Sequence, residues 1–324
     1  MWFISAVMWM DFLKILIGFV MLIGGAEVLV RGAAAIALRL GISALVVGLT
    51  IVAFGTSSPE LVVSTMAAVK GQSDIALGTV VGSNICNILL ILGVAGLIWP
   101  LSVHKQVLKF DVPFMCVVSL ALAGMLLTGS ISRVLGALLV LGVIGYTIFT
   151  IKTNHTVGEG SDDEVDVDIP EVPTNTWLLV LFIVLGPILL SLGSKVLLDG
   201  AVNLATGFGV SQGVIGLTLV AVGGSLPELA TAVAAAYRKE GDIVVGNIVG
   251  SNIFNLLGVI GVAATIAPIG VVQSVLSLHI FVMVAFTLVL FAMTYDYDGK
   301  AQLSRVEGVA LFSAYAAYSA YVIF

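Results

Sequence analysis

The chain has 324 residues, is 60% hydrophobic and only 10% charged, and has a mean hydropathy of +1.18. A soluble domain carries about 25% charged residues, so a water-soluble globule is excluded and lipid must be the solvent for most of the chain. The formal charge of −6 is concentrated between Asp162 and Glu171, and no basic stripe points to nucleic acid.

Apolar stretches long enough to span a bilayer need about 20 residues. Ten are predicted, at 10–38, 43–69, 75–99, 107–128, 132–152, 177–206, 211–237, 243–267, 274–294 and 303–323. The first ten residues lack a basic n-region and a small-residue cleavage site, so no cleaved signal peptide is expected. Cys86 and Cys116 sit inside apolar runs and read as packing residues. A polar segment, Thr153 to Thr176, divides the spans five and five. The expected organisation is a first five-helix repeat (1–152), an acidic cytoplasmic linker (153–176) and a second repeat (177–324).

The halves repeat at an offset of 168: Gly25 meets Gly193, Pro59 meets Pro227, Glu60 meets Glu228, Ser83 meets Ser251, Asn87 meets Asn255 and Pro100 meets Pro268. Two homologous halves with an odd number of helices, joined by one loop, must insert with opposite orientation. The expectation is therefore an all-α integral membrane protein of ten transmembrane helices, in two inverted repeats with the substrate site near the midplane. With the termini outside, Arg39, Lys105, Lys109, Lys152, Arg238, Lys239, Lys300 and Arg305 fall on the cytoplasmic side, as the positive-inside rule asks. The acidic linker then lies in the cytoplasm.

Two sequence signals carry chemistry. Gly55-Thr56-Ser57-Ser58-Pro59-Glu60 recurs as Gly223-Gly224-Ser225-Leu226-Pro227-Glu228. An acidic charge at the centre of a spanning helix costs about 2.5–3.5 kcal/mol on insertion scales, and this chain accepts it twice. Ser57-x-x-Glu60 and Ser225-x-x-Glu228 also fit a capping box with proline in the first turn, which predicts a break into half-helices. A cap alone does not explain why backbone is broken at membrane depth, which is tolerated where it lines a cavity. The second signal, Gly82-Ser83-Asn84-Ile85-Cys86-Asn87, recurs as Gly250-Ser251-Asn252-Ile253-Phe254-Asn255. Ser83 and Asn87 share a helix face, as do Ser251 and Asn255; Asn84 and Asn252 read as interhelical packing groups.

The candidate ligands are hard oxygens: the carboxylates of Glu60 and Glu228, the hydroxyls of Thr56, Ser57, Ser225, Ser83 and Ser251, and the amide oxygens of Asn87 and Asn255. Carbonyls freed at the breaks, those of Ala53 and Ala221, complete the set. No histidine or cysteine joins them, against zinc, copper or iron, and Ca²⁺ with its 6–8 flexible oxygen ligands fits. Two carboxylates neutralise one Ca²⁺ or share several Na⁺, a physical basis for competition and so for exchange.

With these residues the chain resembles the calcium/cation antiporter superfamily, close to prokaryotic sodium/calcium exchangers, over nearly its whole length. The two α-repeats of that family contain G-[TS]-S-x-P-E and G-S-N-x-x-[ND], and both are present in both halves. The resemblance implies a Na⁺-driven Ca²⁺ antiporter with Ca²⁺ and Na⁺ as transported ions and no cofactor. It implies alternating access, with the first and sixth helices sliding over a core of the other eight. The alternatives are a Ca²⁺/H⁺ antiporter using the same glutamates and, less in keeping with inverted repeats, a cation channel. No enzyme signature is present, and a monomer in the cell membrane is expected. Two departures stand out: Gly224 replaces the threonine found at Thr56, removing a hydroxyl, and Asn255 stands where K⁺-dependent relatives carry aspartate.

Other charges read as structural. Glu27 and Arg31 are four apart, with Lys195 and Asp199 as sign-reversed counterparts. An i,i+4 pair in each helix is expected, with pairing of Glu27 to Lys195 and Arg31 to Asp199 as the bolder possibility. Asp74 and Asp242 are expected N-caps. The linker lacks the glycine and twelfth-position glutamate of an EF-hand, and His104, His155 and His279 show no ligand spacing.

Overall fold

The computed structural model describes residues 2–127, 129–153, 176–210, 221–270, 276–294 and 302–323. The acidic linker and the start of the seventh predicted span lie outside the described residues. Nearly every apolar stretch is helical. The chain opens with α1 (Trp2–Leu40), followed by a composite span of α2 (Ala44–Val47), a π turn π1 (Gly48–Val52), α3 (Ala53–Thr56) and α4 (Ser58–Val69). Next come α5 (Ser73–Cys86), π2 (Asn87–Ile91) and α6 (Leu92–Ile98), then β1 (Leu101–Ser102), π3 (Val107–Asp111), α7 (Val112–Leu127), β2 (Ser130–Ile131) and α8 (Arg133–Thr153). The later residues give α9 (Thr176–Gly207), α10 (Ala221–Gly224), α11 (Leu226–Tyr237), α12 (Gly241–Phe254), π4 (Asn255–Val259) and α13 (Ile260–Ile266). They finish with β3 (Ile269–Gly270), α14 (Leu276–Thr294), β4 (Gln302–Leu303) and α15 (Arg305–Ile323).

Among the described residues, six helices are long and apolar enough to cross a membrane, or seven if the bent pair Ala44–Thr56 and Ser58–Val69 is one span. Their outer faces carry large exposed apolar side chains, such as Phe12, Leu16, Phe19 and Ile23 on α1 and Leu138, Leu141, Ile144 and Ile148 on α8. Such faces are stable in hydrocarbon and not in water. By contrast α12 is buried from Ile243 to Ile253, so it is the centre of the bundle.

The short strands were not expected. β1 pairs antiparallel with β4, and β2 with β3. They close the helix ends with backbone hydrogen bonds, which lipid cannot supply. β3 is β1 shifted by 168, and β4 is β2 shifted by 172, so each half lends an equivalent strand to the other.

α1 and α9 pack along each other in opposite directions: Gly18 lies against Gly193 and Leu197, Gly25 against Gly186 and Leu190, and Gly32 against Phe182. The contact glycines recur every seven residues, at 18, 25 and 32 and at 186, 193 and 200. Without side chains there, the two backbones come within van der Waals contact, the usual device for joining helices in lipid. A Cβ on Gly18 would lie 2.5 Å from Leu197 N, and one on Gly193 2.9 Å from Gly18 O. At one end of the pair, buried Asp11 accepts hydrogen bonds from Lys14 (3.0 Å) and Asn203 (3.1 Å).

Toward the other end, Glu27 pairs with Arg31 one turn on (2.6 Å), the i,i+4 pair the sequence predicts. The bolder partner, Lys195, is not the second one: Glu27 also pairs with Arg238, at the end of α11. The reach of an arginine from a helix terminus is not readable from the repeat alone. Exchanging Glu27 and Arg31 sets a cation against Arg238. Because Glu27 and Arg238 side chains are 35% and 25% exposed, the expected loss of thermal stability is modest, under about 1 kcal/mol. An unfolding curve that drops by several-fold more would mean a deeper role for the pair. Asp74 and Asp242 sit in the first turns of α5 and α12, not at the caps, which are Gln72 and Glu240; there they still favour the helix dipole.

Candidate ion-binding site

The first composite span bends by 47° at Ser57. The cause is local. Pro59 has no N–H to give to the Gly55 carbonyl one turn earlier, and its ring crowds that carbonyl. Gly55 also lies against α9, where a Cβ would be 2.8 Å from Pro187 Cγ. The second break repeats the first: Ser225 (φ −93°, ψ 12°) mirrors Ser57 (φ −85°, ψ 8°). Here the carbonyl freed by Pro227 is that of Gly223, and the Ser194 hydroxyl of α9 donates to it at 2.6 Å. The equivalent residue of α1 is Ala26, which has no donor.

Neither serine serves as a side-chain cap, contrary to the capping-box expectation. Ser57 Oγ instead donates across the bundle to Glu228 Oε1 at 3.1 Å. Glu60 and Glu228, 2% and 0% exposed, each sit in the first turn after a break. Among the described residues, both Glu60 oxygens, Glu228 Oε2 and the Ser225 hydroxyl have no hydrogen-bond partner.

The second pair of elements crosses beside them. Asn87 and Asn255 open the π turns π2 and π4, where a widened helical turn re-aims a side chain. Their amide nitrogens are held: Asn87 Nδ2 donates to Asn252 Oδ1 (3.0 Å), and Asn255 Nδ2 donates to Asn84 Oδ1 (3.0 Å) and Ser83 Oγ (3.1 Å). The amide oxygens of Asn87 and Asn255, both buried, are left without partners among the described residues. Asn84 and Asn252 are thus interhelical hydrogen-bonding groups, as expected, and they also fix which end of each neighbouring amide is free. Asn84 Nδ2 closes the lattice on the Asn252 carbonyl at 3.3 Å.

The remaining predicted residues are placed less simply. Ser83 Oγ donates to the Thr79 carbonyl (2.9 Å), and Thr56 Oγ1 lies 3.4 Å from Ser251 Oγ. The Ala53 carbonyl accepts from Ser57 N–H (3.0 Å) and lies 3.3 Å from the Thr56 hydroxyl. Ala221 opens α10, and Ser225 N–H bonds to the Val222 carbonyl (3.0 Å) rather than to Ala221. Gly224, where the first half has Thr56, has open space at its Cβ position.

One residue escaped the sequence reading. Asn247, fully buried, accepts from Thr56 (3.1 Å) and Ser251 (3.4 Å) and so ties the first break to α12. The available signal was an amide one turn before Ser251 on the same face, but its counterpart Thr79 only back-bonds its own helix, so the repeat hid it.

The arrangement gathers buried, unpartnered oxygen atoms from two carboxylates, two amides and a hydroxyl. Among the described residues no group of three or more His, Cys, Asp or Glu side chains converges. Such a set suits a hard cation whose ligands are mostly neutral oxygens.

A family model described as sodium/calcium exchanger protein matches residues 11–152 and 178–324. The chain belongs to the sodium/calcium exchanger protein family. It is 39% identical over 314 residues to the putative antiporter CaxA of Alkalimonas amylolytica, covering 96% of this chain and 97% of that one. It is 31% identical to the sodium/calcium exchanger MaX1 of Methanosarcina acetivorans, covering 95% and 97%. A structure of the sodium-calcium exchanger NCX_Mj soaked with Na⁺ and Sr²⁺ superposes with a TM-score of 0.80 at 29% identity, over 96% of this chain and 98% of that one. The family is one of transporters rather than enzymes, and this member is a multi-pass membrane protein. In this exchanger-family chain the two matched stretches leave out 153–177 between them, which contains the whole acidic segment 153–176.

Proposed function

We propose that the protein exchanges Na⁺ for Ca²⁺ across the cell membrane by alternating access, as a monomer. The observation that carries this reading is the pair of buried glutamates, each in the first turn after a proline break and each with oxygen atoms that no donor among the described residues satisfies. An unpaired buried carboxylate is costly, so a fold that keeps two of them gains its return from a cation. The ligand set proposed is Glu60, Glu228, Ser57, Ser225, Ser83, Ser251, Asn87 and Asn255, with Thr56 and the Ala53 and Ala221 carbonyls assisting. One Ca²⁺ neutralises both carboxylates; Na⁺ ions sharing the same oxygens compete with it.

The frame of this reading is ten spanning helices in two inverted halves, 1–152 and 177–324, joined by a cytoplasmic linker at 153–176, with both termini outside. Three features support it: the antiparallel α1 and α9, the exchange of equivalent strands, and matched left-handed residues at Gly71 (φ 71°) and Lys239 (φ 60°). An inverted pair of halves gives alternating access when one helix pair moves against the rest.

The deciding experiment is Ca²⁺ uptake into proteoliposomes loaded with Na⁺, with K⁺ or with a pH gradient. Uptake driven by outward Na⁺ is the expected result. Uptake driven only by protons would replace this reading with Ca²⁺/H⁺ exchange, and passive uptake to equilibrium with a channel. The open space at Gly224 makes a further prediction: Gly224→Thr folds, adds the missing hydroxyl, and lowers the Na⁺ concentration that half-inhibits Ca²⁺ uptake. An unchanged Na⁺ dependence would remove this position from the site.

A further inference from the structure

Outside the ion site a further acidic side chain is fully enclosed. Asp111, 0% exposed, ends the π turn π3 inside an apolar helix. Of the four π turns in the described residues, π2 and π4 present Asn87 and Asn255 and π1 leads into Ala53. The fourth presents Asp111, so the device that shapes the ion site is used once elsewhere. Tyr146 of α8 donates to Asp111 Oδ1 at 2.9 Å, while Oδ2 is buried with no hydrogen-bond partner among the described residues. The phenol is aimed by packing: its ring stacks on Phe114 at 5.1 Å with a 4° interplanar angle, and buried Thr150 lies at its hydroxyl.

The surroundings offer no counter-charge. Asp111 is in no ion pair among the described residues. On its own segment His104, Lys105 and Lys109 are exposed. The titratable groups of the packed helices are Tyr146 with the exposed Arg133 and Lys152 on α8, Asp242 on α12, His279 on α14 and Cys116 on α7. Of these only Tyr146 bonds to Asp111, while Cys116 bonds to the Thr287 carbonyl. A bare carboxylate so placed is expensive. Among the described residues no cluster of acidic side chains surrounds it to replace the shell of a metal ion. A proton on Oδ2 satisfies both conditions, since it needs no room and leaves Oδ1 to accept from Tyr146.

The other half has the same construction. At 111 + 168 stands His279, and at 146 + 172, the offset that relates β2 to β4, stands Tyr318. The Tyr318 hydroxyl lies 2.8 Å from His279 Nδ1. Each half therefore sets one titratable group of its fourth long segment against a tyrosine of its fifth.

We propose that Asp111 and Tyr146 form a proton-binding site separate from the cation site, with His279 and Tyr318 as its counterpart. Binding is the simple addition of H⁺ to the Asp111 carboxylate. Val107 and Val112, on either side of the acid, share a small apolar cavity with Val245, Ile248 and Val249 of α12, the helix that bears Ser251. A charge appearing at Asp111 is thus felt one packing layer from the ion ligands, and proton occupancy becomes a modulator of exchange.

The test does not depend on transport, so its failure and the failure of the exchange reading are distinguishable. pH-difference infrared spectra of the reconstituted Glu60→Gln/Glu228→Gln protein should contain the carbonyl stretch of a neutral buried carboxyl. Asp111→Asn should remove that band. Tyr146→Phe should keep it and move its titration to higher pH, because the lost phenol bond favours the charged form. A spectrum unaltered by Asp111→Asn would overturn the proposal, as would a Tyr146→Phe titration that stays in place or moves to lower pH.

Discussion

Glu60→Gln and Glu228→Gln each lower Ca²⁺ affinity by about 100-fold or more, and the double variant takes up no Ca²⁺. The size follows from burial. Removing one partner of a buried charge set costs about 3–5 kcal/mol, and every 1.4 kcal/mol is tenfold in affinity. Glutamine keeps the shape and one oxygen, so what is lost is charge: a divalent ion would face one carboxylate and a net positive site in a water-poor interior. Glu228→Gln also alters the Ser57 contact, since the amide end can donate as well as accept. Stability should move the other way. In the ion-free protein Glu60 Oε1 and Oε2 and Glu228 Oε2 have no partner among the described residues. Neutralising them removes a desolvation cost, and the glutamine variants should melt no lower than the parent in chelator. Loss of uptake with undiminished melting temperature marks residues kept for the ion. If both fell together, the glutamates would be structural, and if uptake survived the double change the site assignment would be wrong.

Much of this was legible beforehand because the chain is written twice. Broken spans at Pro59 and Pro227, helix-face pairs such as Ser83 with Asn87, and the hard-oxygen character of the set all follow from residue types that recur in register. What the repeat could not reveal were the places where the halves differ. Asn247 has Thr79 as counterpart, and only the amide reaches Thr56 across the bundle. Asp111 and His279 share no chemistry as sequence, so their common attachment to a tyrosine emerges only when α7 and α8, and α14 and α15, are seen packed. The serines of the two breaks were misread for a related reason. A Ser-x-x-Glu pattern describes a cap when the helix end faces water, but here Ser57 has a competing partner 171 residues away, Glu228, and the Ser225 hydroxyl bonds to no group among the described residues. The glycine track was visible only in part: Gly25 and Gly193 align in the repeat, yet which helix face they occupy depends on α1 meeting α9.

That track gives a paired expectation on adjacent residues. A Cβ on Gly24 meets no atom within 4 Å, whereas one on Gly25 would lie 2.9 Å from Leu190 N and 3.0 Å from both Gly186 O and Leu189 Cβ. Gly24→Ala should leave stability unchanged or raise it by up to about 1 kcal/mol, the helix-propensity gain. Gly25→Ala should cost about 1–3 kcal/mol, the usual range for overpacking, because backbone atoms cannot turn aside as a flexible side chain can. Gly193→Ala meets Met21 Cβ at 2.8 Å and Gly18 O at 2.9 Å and should behave alike. Once one methyl has pushed the helices apart, the second meets less resistance, so the double variant should lose less than the sum of the two. Thermal unfolding separates Gly24 from Gly25, and initial uptake rates then ask what the contact is for. If α1 and α9 move as a unit against the other helices, the pair must stay joined but need not stay tightly packed, and Gly25→Ala would slow exchange only as far as it destabilises the fold. If the two helices slide on each other, a methyl in the track blocks the motion itself, and uptake falls further than the loss of stability accounts for. Equal melting of the Gly24 and Gly25 variants would mean that the backbones are not in contact at all.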